Sequence, residues 1–234
     1  MDNFLRSRNL SVFFLLIIVI VAAGLSGFVL FKNVQAASQE LGGFAWAARF
    51  VPFGNGLGGP GWISFNCLDG GVCSTSNYKV IYDGVTGNMS GYAWSSNIGW
   101  IRFDPNIPES PKINLATGNT SGWAQACAVF QSGCSGALRP DYERGGWDGL
   151  IQLSGMTNDG GSYGLRFDNA SGMFLQGTAT NPYFAWGSDV VGWINFCVTP
   201  GTVTCVGRVS GGALPLPAPA TTTPPGGRRE VPPN

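Results

Sequence analysis

The sequence predicts an all-β fold, and three observations carry the prediction. Glycine accounts for 36 of 234 residues, charged residues for only 11%, and histidine is absent; disordered and helical chains both need far more charge. Aromatic residues reach 12% and fall among β-branched ones in short runs divided by glycine-rich turns, as strands do. Third, one phrase repeats. GYAWSSNIGWIRFD (91–104) returns as YFAWGSDVVGWINFC (183–197), and GFAWAARFVPFGNGLGGPGWISFNC (43–67) contains it with a longer connection. Recurrence of this kind marks a structural unit.

The chain opens with a segment of another kind. Arg6 and Arg8 precede an uncharged apolar run, LSVFFLLIIVIVAAGLSGFVLF (10–31), after which Val34-Gln35-Ala36 offers small residues at the spacing a signal peptidase reads. A run this long exceeds a usual signal-peptide core and reaches the roughly 20 residues that span a bilayer. Residues 1–36 are therefore expected to form one hydrophobic helix, either a signal peptide or an N-terminal membrane anchor. In both cases the basic flank stays cytoplasmic and the remainder is exported to the cell surface or beyond.

Residues 37–210 hold the repeats. A degenerate unit, third in chain order, joins the three copies above: Ser121-Gly122-Trp123-Ala124-Gln125 matches Ser90-Gly91-Tyr92-Ala93-Trp94, and Gly149-Leu150-Ile151-Gln152-Leu153 fills the Gly-Trp-Ile-x-Phe slot. Between units run YKVIYDGVTGNMSG (78–91), PKINLATGNTSG (111–122) and YGLRFDNASGMFLQG (163–177), each reading as strand, turn, strand. The Gly87-Asn88 and Gly118-Asn119 pairs suit tight hairpin turns. The period is a three-stranded meander, and about eleven short antiparallel strands follow in a single domain. A sandwich, a barrel and a short repeat array all accommodate them.

Neighbouring side chains of a strand point to opposite faces. Ile63 with Phe65, Ile101 with Phe103 and Ile194 with Phe196 then line a core face. The other face carries Trp62 with Ser64, Trp100 with Arg102 and Trp193 with Asn195. Two readings follow. The tryptophans pack on Trp46, Trp94 and Trp186 of the preceding strands and hold neighbouring units together; alternatively, Trp62, Trp100 and Trp193 form a stacking platform for sugar rings, with Arg102 and Asn195 supplying hydrogen bonds.

Six cysteines fall as three close couples, Cys67 with Cys73, Cys127 with Cys134 and Cys197 with Cys205. Three nearest-neighbour disulfides are the economical connectivity, each closing a short loop for about 2 to 3 kcal/mol. Zinc is the rival, but there is neither C-x-x-C nor histidine, and an exported chain meets oxidising conditions.

The phrase G-x-A-W-S-x-N-x-G-W-I-x-F, met in full at Gly91, Ala93, Trp94, Ser95, Asn97, Gly99, Trp100, Ile101 and Phe103, resembles a known repeat. It is similar to the tryptophan-rich repeat of exported, largely uncharacterised proteins from candidate-phyla bacteria. The copies ending at Cys67 and Cys197 match in part, so the resemblance spans most of 43–205. It implies a bacterial surface protein and brings no catalytic residues.

Other chemistry is sparse. Without histidine, Ser-His and Cys-His nucleophiles are excluded, as are most zinc and haem sites. The glycine-rich GNGLGGPG (54–61) lies between two strand phrases rather than ahead of a helix, unlike a phosphate loop. Asp141, Glu143 and Asp148 could pair as glycosidase acids, but Arg139 and Arg144 among them mark a self-neutralising loop. Asp168-Asn169 and Asn158-Asp159-Gly160 could offer oxygens to calcium, yet lack full EF-hand spacing and serve equally as turns. Zero formal net charge and no basic cluster in the repeats exclude nucleic acid as a partner. Residues 211–234 are Pro-rich and expected to be disordered.

The expectation is an exported, non-catalytic structural or adhesive protein of the cell surface, built from disulfide-pinned repeats and needing no cofactor or metal. Its expected partners are envelope components or surface glycans, and the membrane itself if the leader is retained. The alternative is a carbohydrate-binding module using the Trp face.

Overall fold

The computed structural model describes residues 38–49, 58–104, 109–178, 180–198 and 204–209. Residues 1–36, expected to be a hydrophobic helix, and the tail 211–234 lie outside the described residues. Within them the all-β expectation holds, and the architecture is a barrel.

Eight antiparallel strands form it: β1 (Phe44–Arg49), β2 (Gly58–Ser64), β3 (Met89–Ser95), β4 (Gly99–Arg102), β5 (Trp123–Ala126), β6 (Leu150–Gln152), β7 (Phe184–Trp186) and β8 (Trp193–Asn195). Each pairs with the next in chain order, and β8 returns to β1 with Ile194 opposite Ala47. Every strand of this ring therefore has a neighbour on both sides, though β2 meets β3 only at Ser64 opposite Trp94 and β6 meets β7 only at Gln152 opposite Trp186.

The four repeated phrases are the four hairpins of the barrel. In every one, alternation turns an alanine inward opposite an isoleucine: Ala45 with Ile63, Ala93 with Ile101, Ala124 with Ile151, Ala185 with Ile194. None of these eight residues is more than 3% exposed. An eight-stranded barrel is just wide enough for side chains to fill it, and small opposite large is how they fit. With Phe65, Phe103, Leu153 and Phe196 below, they leave a void of only about 10 Å3, at the lower limit for a single water. The interior is therefore a packed core.

Past a bend at Gly43, Gly91 and Gly122 the strands run on into a second ring. Its members are Gln39–Gly42, Val80–Tyr82, the start of β3, Lys112–Ile113, Thr120–Ser121, Phe167–Asp168, Met173–Phe174 and Gly207–Arg208. Ladders join most neighbours. The remaining joints are the bridges Asn88 to Lys112 and Asn119 to Arg166, flanked by Met89 N donating to Pro111 O and Phe167 N to Gly118 O, each at 2.8 Å. Leu41 opposite Arg208 closes this ring with the two ends of the described chain.

Each repeat is thus a three-stranded meander, as expected, and the fourth is assembled from both chain ends. The described strands number 21 rather than about eleven. Three of the meander strands are split, at Gly43, at Gly122 and by the stretch after Phe174, and three insertions add hairpins of their own.

Leu41, Val80, Met89, Ile113, Leu165 and Val206 fill the second ring, all at most 2% exposed. A chain of aromatic contacts ties the two rings: Phe103 to Phe65 to Phe196 to Phe174 to Phe167 to Tyr82, with centroids 4.9 to 5.5 Å apart. Each such pair contributes about 0.5 to 1.5 kcal/mol beyond its buried area.

The disulfides join Cys67 to Cys73, Cys127 to Cys134 and Cys197 to Cys205, leaving no free cysteine. Each bridge pins a connection just after it leaves β2, β5 or β8. Non-reducing peptide mapping is expected to recover these three pairs. A bridge between couples would contradict the repeat-by-repeat arrangement.

Candidate functional site

The outward positions of the hairpins gather the aromatic side chains. In β1, β3 and β7 an aromatic residue precedes the Ala-Trp pair by one position, so Phe44, Tyr92 and Phe184 share a face with Trp46, Trp94 and Trp186. The facing strand contributes Trp62, Trp100 and Trp193, directly opposite the first tryptophan in register. Ring centroids in these three cross-strand pairs are 4.8, 4.6 and 4.6 Å apart.

Further rings complete each cluster. Trp62 also meets Phe44 at 5.9 Å, Trp100 meets Tyr78 at 5.2 Å and Tyr92 at 6.3 Å, and Trp193 meets Tyr163 at 4.9 Å and Phe184 at 6.3 Å. Interplanar angles across all these contacts run from 53° to 84°, so the rings meet tilted or edge-on and none of these pairs lies parallel. Tyr78 and Tyr163 were not singled out from the sequence. Their signal was that both open the run leading into a connecting strand.

The polar companions are bonded within the fold. Ser64 Oγ donates to Asn66 O at 3.0 Å and Asp69 Oδ2 at 2.9 Å, and accepts from Tyr78 OH at 2.8 Å. Arg102 donates through a terminal nitrogen to Gln125 Oε1 at 2.9 Å, and its guanidinium lies 5.6 Å over the Phe130 ring; its Nε is buried without a partner among the described residues. Asn195 Oδ1 accepts from Cys197 N at 2.9 Å. In the β6 position equivalent to Ser64, Gln152 Oε1 accepts from Tyr163 OH at 2.7 Å.

Burial governs the ionisable groups beside these clusters. It pushes the Tyr78 hydroxyl up, against the hydrogen bond to Ser64 and with the Asp69 charge adding to the rise; it pushes Tyr163 up as well. Burial likewise pushes the Asp69 carboxyl up, opposed by hydrogen bonds from Gly43 N, Ser64 Oγ, Asn66 N and Phe65 N. Asp69 thereby ties the end of β2 to the bend before β1.

The third hairpin departs from the pattern. Gln125 faces Leu150 where the others have a tryptophan pair, and the insertion 127–149 accounts for it. That insertion carries the hairpin Phe130–Ser132 with Ser135–Leu138 and the short helix α1 (Asp141–Arg144). Gln125 is 4% exposed and donates to Asp148 O at 3.1 Å. Trp147, 6% exposed, donates to Leu150 O at 3.1 Å. Here the chain covers its own barrel wall.

The carboxylates weighed as catalytic acids or calcium ligands are held locally. Asp141 pairs with Arg144, Glu143 pairs with Arg139 at 3.3 Å, and Asp148 accepts from Leu150 N at 3.0 Å. Asp168 accepts from Ala170 N and Ser171 N, both at 3.1 Å, and Asp159 from Gly161 N at 3.4 Å. Among the described residues no three Cys, Asp or Glu side chains gather as a metal site, and no helix is long and apolar enough to cross a membrane.

Fold and site together define a disulfide-bearing β-barrel of four repeats, closed in two stacked rings, with aromatic clusters on its outer wall. Comparison with family models, with curated proteins and with solved structures found no match.

Proposed function

We propose that this chain is an exported, non-catalytic structural or adhesive protein of the cell surface, whose repeated tryptophans hold the barrel wall. The observation that carries the proposal is that the tryptophan rings pack on one another, edge-on in the Trp46–Trp62 pair and tilted in the other two, while Ser64, Arg102 and Asn195 each make a hydrogen bond within the fold. These contacts occupy Ser64 Oγ, a terminal nitrogen of Arg102 and Asn195 Oδ1 within the wall rather than toward a ligand. Three disulfides suit an oxidising compartment, and the apolar leader supports export. A tag at the C-terminus is expected to be cleaved by protease added to intact cells, and the mass of the purified protein distinguishes a removed leader from a retained anchor. Full protection of the tag would refute export.

Carbohydrate binding by the Trp face is the second reading, and one observation favours it. Trp62 on β2 and Tyr92 and Trp94 on the adjacent β3 are 40%, 39% and 38% exposed, the most open part of the aromatic wall.

A further inference from the structure

A cleft of about 420 Å3 opens beside the second ring, with Ser162, Asn181 and Tyr183 at its walls. Its volume lies in the range of about 300 to 1,000 Å3 usual for small-ligand sites. It exists because two segments break the fourfold pattern. One is the hairpin Ser154–Met156 with Ser162–Gly164, which follows β6. The other is formed by residues 180–183, in a connection of nine residues between Phe174 and Phe184 where only Ser90 and Gly91 separate Met89 from Tyr92. In repeat proteins such unit-specific insertions commonly form the binding face.

The walls are fastened to the barrel. Ser154 Oγ donates to Thr120 O at 2.7 Å, and Thr120 Oγ1 lies 3.1 Å from both Leu153 O and Leu165 O. Gly164 N donates to Pro182 O at 3.2 Å, joining hairpin to insertion, and Tyr183 N donates to Asn181 O at 2.8 Å. The hydroxyls of Ser162 and Tyr183 and the side-chain amide of Asn181 remain without hydrogen-bond partners among the described residues. No Lys, Arg, Asp or Glu lines the cleft. Arg166, which donates to Asn119 Oδ1, stands one residue removed from the lining, and a charged ligand would find no counter-charge in the lining itself to repay its desolvation.

The geometry points to this cleft as a binding site for a short neutral saccharide. Hydroxyl and amide groups that both donate and accept match the vicinal hydroxyls of a sugar, and Tyr183 adds an apolar ring beside them. The inference rests on the surface reading above and gives it a contact site whose lining contains no tryptophan and shares only Tyr163 with the aromatic clusters.

The test applies the full-length chain, in a detergent free of sugar headgroups, to an array of neutral, sialylated and sulfated glycans. The best neutral glycan is then titrated against wild type, Ser162→Ala, the double variant Asn181→Ala with Tyr183→Phe, and Trp62→Ala. The double variant is expected to bind about tenfold more weakly, as loss of two neutral hydrogen bonds implies, with Trp62→Ala unchanged. Ser162→Ala, altering an exposed side chain, keeps the test valid if the double variant misfolds, and is expected to weaken binding severalfold. Absence of neutral-glycan binding, binding confined to acidic glycans, or loss only with Trp62→Ala would each overturn the site. A surface-exposed protein that binds no neutral glycan refutes the cleft alone, whereas a protected C-terminal tag refutes the surface reading.

Discussion

Trp100→Ala is expected to lower the urea midpoint about as far as Ile101→Ala does. Ile101 is 2% exposed inside the barrel, and Ile-to-Ala changes in cores cost about 2 to 5 kcal/mol. Trp100 lies on the outer wall, so position alone would suggest tolerance. Its surroundings reverse that expectation, because the ring meets Trp94, Tyr78 and Tyr92 at 4.6, 5.2 and 6.3 Å. Truncation would strip the cluster that spans β3, β4 and the segment before Val80, and a half-buried tryptophan should cost about 3 kcal/mol, the lower end of the aromatic range. Paired urea titrations decide it. A Trp100→Ala midpoint within error of wild type, with Ile101→Ala clearly lowered, would mean that the wall aromatics are free, and the carbohydrate reading of the Trp face would take precedence.

Gly87→Ala should be more damaging still. Gly87 closes the turn from Asp83, donating from its N to Asp83 O at 2.8 Å, and adopts φ 74°. A Cβ there would lie 1.9 Å from Ile113 O in the next repeat. The backbone cannot withdraw without losing the bond from Ile113 N to Gly87 O at 2.9 Å, which belongs to the joint between two meanders. The loss should exceed about 4 kcal/mol, at the far end of single-substitution effects. Gly99→Ala is the control: its φ is 70° but nothing lies within 4 Å of the added Cβ, so only the left-handed backbone term of about 1 to 2 kcal/mol applies. Equal losses in the two variants would show that backbone strain, and not the approach of neighbouring repeats, sets the requirement for glycine.

Much of this was legible in the chain because it is written at short range. Strand alternation is a local property, so the inward Ile63, Ile101 and Ile194 and the outward Trp62, Trp100 and Trp193 could be read directly, and so could the three-stranded period. The disulfide couples were readable because their partners are near neighbours in sequence. The aromatic positions before each Ala-Trp pair were visible too, but nothing in a single sequence says that Tyr78 and Tyr163 return to the same clusters.

Sequence alone thus determined the all-β class, the repeat unit, which residues of each strand face the core, and the cysteine partners, all of which depend on period-two geometry or short loops. Tertiary structure decided between sandwich, barrel and array, because that choice rests on contacts between distant residues: Ile194 opposite Ala47 in the first ring and Leu41 opposite Arg208 in the second. It also decided the fate of equivalent positions. Trp62 stays 40% exposed while Leu150, at the same place in its hairpin, has its carbonyl bonded by Trp147 of the insertion 127–149. Identical local patterns acquire different surroundings when insertions fold over the wall, and the cleft between 154–164 and 180–183 arises in the same way. Packing of distant segments follows from the closed shape as a whole, and no window of the sequence contains it.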